Sequence, residues 1–274
     1  MTRKKSSMKP KKPFDKYFLY TNSVQGAEHD AELLWKMTRK IWSGPIPKDP
    51  ILREDFCATA ALCYEWVKLG KTHYAFGVDL DAKALSWGVA HHASELSPSQ
   101  ASRVQMIHGD VLHNHKINPH VICALNFSYF FIKDRALLKT YFTKCRQSLA
   151  KNGLLILDAF GGPEYLQAHI DRRRNADESF TYWWEVEMFD AITHQIKCHL
   201  HFQRDGELKR ERVFSYDWRL WSLPEITDVL HESGFNHVEY WAEGLNKNGR
   251  GNGIFKPIKS EKDCATWITY LVAK

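Results

Sequence analysis

The sequence contains no apolar run long enough to cross a membrane. A membrane-spanning helix needs about 20 consecutive, mainly apolar residues, and polar residues interrupt every hydrophobic stretch before that length. The N-terminus also lacks the apolar segment of a secretory signal peptide. The sequence therefore predicts a soluble, cytoplasmic protein that makes no membrane contact.

Cysteine pairs of the kind that hold zinc are absent. None of the six cysteines forms a C-x-x-C pair, and their spacing is irregular. Most of them stand in apolar surroundings, as reduced thiols in a protein core do. We therefore expect neither a disulfide framework nor a metal site.

Beyond its N-terminus, the chain has no excess of charge of either sign. It contains 38 Lys and Arg residues against 32 Asp and Glu residues, a formal net charge of +6. Residues 1–13 carry six basic side chains and no acidic one, so the rest of the chain is neutral. We expect residues 1–13 to form a disordered basic tail, either a solubilising extension or the one place where nucleic acid could bind.

What the chain does contain is typical of a globular α/β protein, with 44% hydrophobic residues and 10 Trp. After a predicted N-terminal helical cap over residues 14–47, short apolar runs alternate with amphipathic helices through a core predicted at residues 48–160. Strands that alternate with helices indicate a doubly wound, mostly parallel sheet. The five predicted core strands are Ile51–Phe56, Tyr74–Asp79, Val104–Ile107, Val121–Asn126 and Leu154–Phe160.

The pattern changes after residue 160. Long segments of interleaved polar and apolar residues predict an antiparallel β-meander over residues 161–220, which we expect to fold over the sheet as a lid. The run Arg172–Arg174 is interpreted as a solvated helix face. Residues 221–274 are predicted to add a helix and two last strands, for seven in the sheet, joined by a glycine-rich loop over residues 246–253.

Polar side chains stand where four successive core strands end. They are Glu54 near the end of the first strand, Asp79 after the second, Asp110 after the third and Asn126 after the fourth. Ligands of doubly wound sheets bind at this edge, and an acid at the position of Asp79 typically accepts hydrogen bonds from ribose hydroxyls. A nicotinamide-dependent oxidoreductase is disfavoured, because no G-x-G-x-x-G motif is present.

These motifs resemble those of the class I S-adenosylmethionine-dependent methyltransferases. The resemblance is closest to a bacterial subgroup with a Leu-Arg-Glu-Asp-Phe-Cys type first motif, and it rests on Leu52–Ala60, Gly77–Asp81 and Trp221–Ile226. It implies a Rossmann-like methyltransferase fold and S-adenosylmethionine as cofactor. The cofactor-binding residues that it implies are Arg53, Glu54, Ala58, Asp79, Leu80, Asp110, Val111 and Asn126.

The first motif departs from the family pattern. Ala58 and Ala60 stand where the family usually has glycine, and Phe56 occupies a third glycine position. An alanine there adds little conformational free energy if its φ angle is negative and its methyl group has space. Otherwise its methyl group crowds the ligand. The two resulting hypotheses are an active methyltransferase and a relative that binds the cofactor without catalysis.

The resemblance implies in-line displacement of a methyl group from the cofactor to an acceptor. A small-molecule acceptor is favoured, because the body is neutral and the meander and its tryptophans would enclose the sheet edge. Asn126, Tyr129 and His199 are the candidate catalytic residues. His199 and His201 share a strand face, for which a solvated or substrate-facing edge is favoured over zinc. An RNA or protein methyltransferase is the alternative, suggested by the basic tail and by residues 126–129. The sequence does not indicate the oligomeric state.

Overall fold

The computed structural model describes residues 13–113, 115–175, 179–249 and 251–274. Helices and strands alternate in the first half of the chain, and strands dominate the second half. The helices are α1 (Lys16–Val24), α2 (Ala27–Ile41), α3 (Ala61–Lys68), α4 (Ala82–His91), α5 (Pro98–Ala101), α6 (Arg135–Ser148) and α7 (Leu223–Glu232). The strands are β1 (Ile51–Asp55), β2 (Tyr74–Asp79), β3 (Val104–His108), β4 (Val121–Ala124), β5 (Leu154–Gly161), β6 (His169–Asn175), β7 (Phe180–Phe189), β8 (Gln195–Arg204), β9 (Arg210–Arg219), β10 (Val238–Leu245), β11 (Gly251–Ile258) and β12 (Trp267–Ala273).

The larger sheet has eight strands in the order β11-β10-β12-β5-β4-β1-β2-β3. Strands β1 to β5 are mutually parallel, whereas β10, β11 and β12 pair antiparallel. The predicted α/β class and mostly parallel sheet are confirmed. Because the chain order reverses on either side of β1, the carboxyl ends of β1 and β4 form the switch point where a crevice opens.

The predicted number of seven strands is wrong, since β11 forms where the sequence indicated a glycine-rich loop. This strand pairs antiparallel with β10 at the sheet edge. Most of its residues are exposed and Gly251 and Gly253 interrupt it, so it has no periodic apolar pattern. Its Pro257 is compatible with this position, because an edge strand leaves one row of N–H groups unpaired.

The second sheet contains four antiparallel strands in the order β6-β7-β8-β9. Its first strand, β6, includes Arg172–Arg174, so the interpretation of this run as a helix face is wrong. Four consecutive charged residues, Asp171 to Arg174, hide the strand in the sequence, yet β6 pairs with β7 along its whole length. Arg172 lies over the Trp183 ring at 5.9 Å, and Arg174 forms an ion pair with Asp205.

The N-terminal helices connect the two sheets. Helix α2 packs on α3 beside the larger sheet, and Leu19 of α1 packs with Phe180, Leu200 and Phe202 of the second sheet. The Asp15 carboxylate caps α1 and also accepts a hydrogen bond from the Trp87 indole N–H of α4 at 2.8 Å. Helix α1 is thereby fixed across the gap between the sheets.

The predicted disordered tail, residues 1–13, falls outside the described residues except for Pro13. Within the described ranges, every helix is too short or too polar to traverse a bilayer.

Candidate functional site

Two adjoining cavities open at the carboxyl ends of the parallel strands. The first, of about 430 Å³, is lined by Glu54, Asp79, Asp110 and other strand-end residues. The second, of about 460 Å³, lies between the larger sheet, the second sheet and α1–α2. Both volumes lie in the range of about 300–1,000 Å³ that is usual for small-molecule sites. The residues that line both cavities are Tyr20, Gln25, Leu125, Asn126, Tyr216 and Trp218.

Asp79 fixes the loop that forms the floor of the first cavity. Its carboxylate accepts hydrogen bonds from the backbone N–H groups of Ala58 and Asp81, both at 2.7 Å. Each oxygen retains a second acceptor position, because an ionised carboxylate has about four lone-pair sites. Asp81 in turn caps α4 by accepting hydrogen bonds from the N–H groups of Lys83 and Ala84, which leaves Asp79 available to a ligand.

The next strand end contributes Asp110 and Val111 to the same cavity. The Asp110 carboxylate accepts a hydrogen bond from the Leu112 N–H at 2.8 Å, which holds the turn after β3. Leu80 lines the cavity as well and is 68% exposed, so its side chain is accessible to a planar ring of a ligand.

Glu54 is the most deeply buried carboxyl group of the first cavity. It is 6% exposed and accepts a hydrogen bond from the Cys63 thiol at 3.2 Å. Burial raises its pKa to about 8. A cationic ligand group would restore the ionised form, because an adjacent opposite charge favours the carboxylate.

The loop between β1 and α3 adopts a conformation that normally requires glycine. The φ angles of Phe56, Ala58 and Ala60 are +57°, +48° and +56°. The two alanines therefore do not have the negative φ angles that would let them replace glycine without a backbone penalty. A left-handed conformation costs a non-glycine residue roughly 1–2 kcal/mol. Gly88 of α4 permits this loop to approach, since a Cβ atom there would lie 2.0 Å from the Thr59 carbonyl oxygen.

Arg53 does not line the first cavity, although the resemblance implied a cofactor-binding role. Its guanidinium forms two hydrogen bonds with the Asp55 carboxylate, at 2.8 and 2.9 Å. The Tyr141 hydroxyl donates to the same carboxylate at 2.9 Å. Both charged side chains are almost completely buried, which indicates a structural ion pair beneath the site.

Asn126 stands at the junction of the two cavities on an unusual turn. Asn126 and Phe127 both have left-handed backbone angles, with φ of +55° and +59°. Their N–H groups donate to the two carboxylate oxygens of Asp158, at 2.8 and 2.9 Å. Asp158 therefore holds the turn that presents Asn126, and it lines the second cavity itself.

Asp158 was missed by the sequence reasoning. It is 6% exposed, and burial raises its pKa to about 7. The signal was available, because Asp158 is the only charged residue in the fully buried strand β5. An acid inside such a strand requires a partner or a function.

The second cavity also contains Asp30 and Arg173 among aromatic rings. The Asp30 carboxylate accepts a hydrogen bond from the Tyr270 hydroxyl at 3.1 Å, and burial raises its pKa. The rings that line the cavity are Tyr20, Phe127, Phe160, Tyr165, Tyr182, Trp184, Tyr216, Trp218 and Tyr270.

Tyr129 and His199, two of the three candidate catalytic residues, do not line either cavity. Tyr129 is fully buried and packs against Phe130 and Phe142. His199 lies on the face of β8 opposite to Leu200, which lines the second cavity.

The histidines of β8 are held by side chains of the neighbouring strands. His199 is 2.9 Å from Glu187 and 2.8 Å from Ser215, and His201 is 2.8 Å from Glu185. In the described part of the chain, no group of three or more His, Cys, Asp or Glu residues is arranged to hold a metal ion.

Helix α1 covers the junction, a role that the sequence did not reveal. Tyr17 lines the first cavity and donates its hydroxyl to Asp81 at 3.2 Å. Tyr20, one turn later, lines both cavities and is hydrogen-bonded to Tyr216 of the second sheet. The only feature of the sequence that pointed to this role is the high proportion of aromatic residues at positions 14–20.

Several solved structures with a similar fold are methyltransferases. One is an S-adenosylmethionine-dependent methyltransferase from Clostridium acetobutylicum, which is 18% identical with a TM-score of 0.66 over 93% of this chain and 96% of that one. Another is the sugar N-methyltransferase KedS8 from Streptoalloteichus, at 17% identity and a TM-score of 0.62 over 99% and 98%. A third is the amino pentose methyltransferase CalS10 from Micromonospora echinaspora with S-adenosylmethionine bound, at 14% identity and a TM-score of 0.64 over 97% and 100%.

The chain has the fold of these methyltransferases. At such low identity the likeness establishes the architecture alone. No family model and no curated protein matches the sequence.

Proposed function

We propose that the protein is an S-adenosylmethionine-dependent methyltransferase that modifies a small molecule. The observation that carries the proposal is the pair of adjoining cavities that meet at Asn126. One is lined by acids from three parallel strand ends, Glu54, Asp79 and Asp110, and the other is lined by aromatic rings. A two-substrate reaction requires such a junction, because both reactants must be held in contact.

The groups of the first cavity fit the parts of S-adenosylmethionine. Glu54 is a buried carboxyl suited to the ammonium of the methionine part, and Asp79 has free acceptor positions for the ribose hydroxyls. Asp110 and Val111 can border the adenine. Ser128 also lines this cavity, and its buried hydroxyl has no partner among the described residues, so a ligand group would satisfy it.

When bound, S-adenosylmethionine supplies a methyl group on a sulfonium, which is a good leaving group. The chain then needs to position the acceptor and exclude water, and both contribute to the rate. Asn126 is placed where the two reactants meet, and Tyr20 and Trp218 close this junction from α1 and β9. Asn126 is therefore the candidate retained from the sequence, whereas Tyr129 and His199 contribute through the fold.

Calorimetric titration with S-adenosylmethionine tests the proposal directly. We expect saturable binding by the wild-type protein and a dissociation constant about tenfold higher or more for Asp79→Asn, because one charged acceptor of the ribose is lost. Asp228→Asn is the matched control, since Asp228 is exposed on α7 and lines neither cavity. No binding at millimolar cofactor would exclude the proposed function.

A cofactor-binding protein without catalysis is the second candidate. Its support is the left-handed conformation of Phe56, Ala58 and Ala60, which places non-glycine side chains in the loop beside the first cavity. Incubation of the protein and cofactor with a metabolite extract distinguishes the two candidates. Formation of S-adenosylhomocysteine only in the presence of extract supports the enzyme, and binding without any turnover supports the second candidate.

A further inference from the structure

The second cavity carries opposite charges on different walls. Asp30 of α2 and Asp158 of β5 contribute carboxyl groups, whereas Arg173 of β6 contributes a guanidinium. The three side chains belong to different layers of the fold, and none of the hydrogen bonds or ion pairs of the described residues joins an acid of this cavity to Arg173. The cavity is therefore polarised from one wall to another.

The acidic wall is suited to a cation. Asp158 receives two backbone N–H groups and Asp30 receives one hydroxyl group, which leaves acceptor positions on both carboxylates. Burial raises the pKa of both carboxyl groups, and the charge of Asp30 raises the pKa of Asp158 further. A ligand cation would relieve this repulsion and replace the lost hydration.

The aromatic wall favours the same kind of ligand. Tyr182, Trp184 and Tyr216 line the cavity beside Trp218, and the faces of such rings attract cations. Trp218 is 2% exposed, lines both cavities, and its indole N–H has no partner within the described ranges. Because leaving a buried donor unpaired is costly, this N–H calls for an acceptor atom elsewhere on the ligand, since an ammonium group cannot accept a hydrogen bond.

The positive charge of Arg173 favours a ligand that carries an anionic group as well as a cationic one. It pairs with Tyr182 across β6 and β7 and is exposed at the cavity rim, and in the described ranges no carboxylate pairs with it. Its neighbours in sequence differ, since Arg174 pairs with Asp205 and Arg172 lies over Trp183. An unpaired guanidinium is a ready partner for a carboxylate or a phosphate.

We propose that the methyl acceptor carries both an amine and an anionic group, with the amine held by Asp30 and Asp158 and the anion by Arg173. The inference rests on the proposed function and names the substrate class of that site. The anion can be a phosphate or a carboxylate, since both match the guanidinium.

The acids also account for the proton of the reaction. An alkyl amine arrives as an ammonium at neutral pH, because its pKa lies near 10, and its nitrogen has no free lone pair. One N–H proton passes to the Asp158 carboxylate, and the freed lone pair forms the new N–C bond. The electron pair of the broken S–C bond remains on the cofactor sulfur, and Asp158 later releases the proton to water.

Five hexoses that differ only in these groups test the proposal by calorimetry. They are glucose, glucosamine, glucose 6-phosphate, glucosamine 6-phosphate and glucosaminuronic acid, titrated into the protein in the presence of S-adenosylhomocysteine. We expect each amine to bind about tenfold more tightly or better than its hydroxyl counterpart, and an added anion to give a further gain of about tenfold. The last two sugars distinguish phosphate from carboxylate.

Two variants test whether the amine preference depends on the acidic wall and the gain from the anion on Arg173. Asp30→Asn should remove most of the amine preference, because its amide can still accept the Tyr270 hydrogen bond while the charge is lost. Arg173→Gln should remove the gain from the anion and leave glucosamine binding within about twofold. Asp158→Asn should act as Asp30→Asn does, but Asp30→Asn keeps the test valid if that variant fails to fold.

Equal binding of glucose and glucosamine, or an amine preference that survives Asp30→Asn, would overturn the inference. Failure of all five sugars to bind would do so as well. Cofactor binding, measured separately on the same protein, keeps the two proposals apart. Amine selectivity without S-adenosylmethionine binding would refute the proposed function, whereas cofactor binding without amine selectivity would refute only this inference.

Discussion

At the scale of single residues, the left-handed alanines of the β1–α3 loop are the clearest departure from expectation. Ala58 has a φ angle of +48° and is only partly buried. Ala58→Gly should therefore raise the free energy of unfolding by up to about 1 kcal/mol, because glycine adopts this conformation without steric cost. The midpoint of urea denaturation measures the change.

Glycine substitutions of two further alanines serve as controls for this prediction. Ala60→Gly should be nearly neutral, because Ala60 is fully buried and the strain removed is offset by about 0.8 kcal/mol for the lost methyl group. Ala136→Gly, at an exposed helical position of α6, should destabilise the protein by up to about 1 kcal/mol. Destabilisation by Ala58→Gly would mean that the loop conformation is not strained.

Asp158 should make the stability of the protein depend on pH. Burial raises its pKa from the ordinary 3.8 to about 7, so the folded protein binds a proton that the unfolded chain releases between about pH 4 and 7. Its contribution to stability is therefore present at low pH and is lost as the pH rises through this window. At about 1.4 kcal/mol per pKa unit, the rise from 3.8 to about 7 makes this loss about 4 kcal/mol.

A comparison with Asp158→Asn isolates this contribution. The variant cannot titrate at this position, so its stability relative to wild type should improve between pH 4 and 7, even though it leaves one backbone N–H without a partner. Urea denaturation across this pH range measures the difference, with Asp228→Asn as the control. A constant difference would show that Asp158 is not protonated in the folded protein.

The prediction that side chains at the strand ends come together agrees with the structure, where Glu54, Asp79, Asp110 and Asn126 line one cavity. They stand at or just after the ends of β1 to β4, and parallel strands bring their ends to one edge. Arg53 stands next to Glu54 in sequence, but successive residues of a strand face opposite sides. Its side chain therefore lies on the side away from the cavity, where it pairs with the buried Asp55. No local pattern could have shown that Asp30, from a helix outside the core, faces Asp158 across a cavity.

At the scale of secondary-structure elements, α1 should control access to the first cavity. It has nine residues, and helices shorter than about 12–15 residues are marginal without support. Asp15→Ala removes both its N-cap and the bond to Trp87, and a lost cap costs about 1 kcal/mol. We expect faster hydrogen exchange in α1 and dissociation of S-adenosylmethionine that is about fivefold faster.

Two other variants separate the cap from the tether. Asp15→Asn should retain the cap, because asparagine is an equally good N-cap residue, whereas Trp87→Phe should remove only the bond between α1 and α4. Rapid dissociation in both Asp15→Ala and Trp87→Phe identifies the tether as the cause. Unchanged dissociation in all three variants would show that α1 does not restrict the cofactor.

The strands that the sequence failed to predict share a physical reason. Strand β11 and strand β6 lie at the edges of their sheets and bury few apolar side chains. Their pairing depends on backbone hydrogen bonds to β10 and β7, which leave no pattern in the side chains. Strands β1, β4 and β5 lie inside the sheet, are buried on both faces and therefore show clear apolar runs.

At the scale of the whole molecule, the charge is divided between a neutral body and the basic segment before residue 14. The six basic residues of this segment account for the entire net charge of +6. If the protein binds single-stranded RNA, deletion of residues 1–12 should therefore abolish that affinity. It retains Pro13, whose carbonyl oxygen accepts a hydrogen bond from Arg204 at 3.0 Å, so the thermal stability should not change.

The salt dependence of binding gives this prediction a quantitative limit. Each phosphate neutralised on a single strand contributes a slope of about −0.7 to the logarithmic plot of affinity against salt. Six basic residues can therefore contribute at most about −4, and the truncated protein should show none of this slope. A full-length variant with the six residues replaced by glutamine controls for chain length. An unchanged slope in both variants would place an RNA-binding surface on the body, contrary to its neutrality and to the enclosed aromatic cavity that favours a small acceptor.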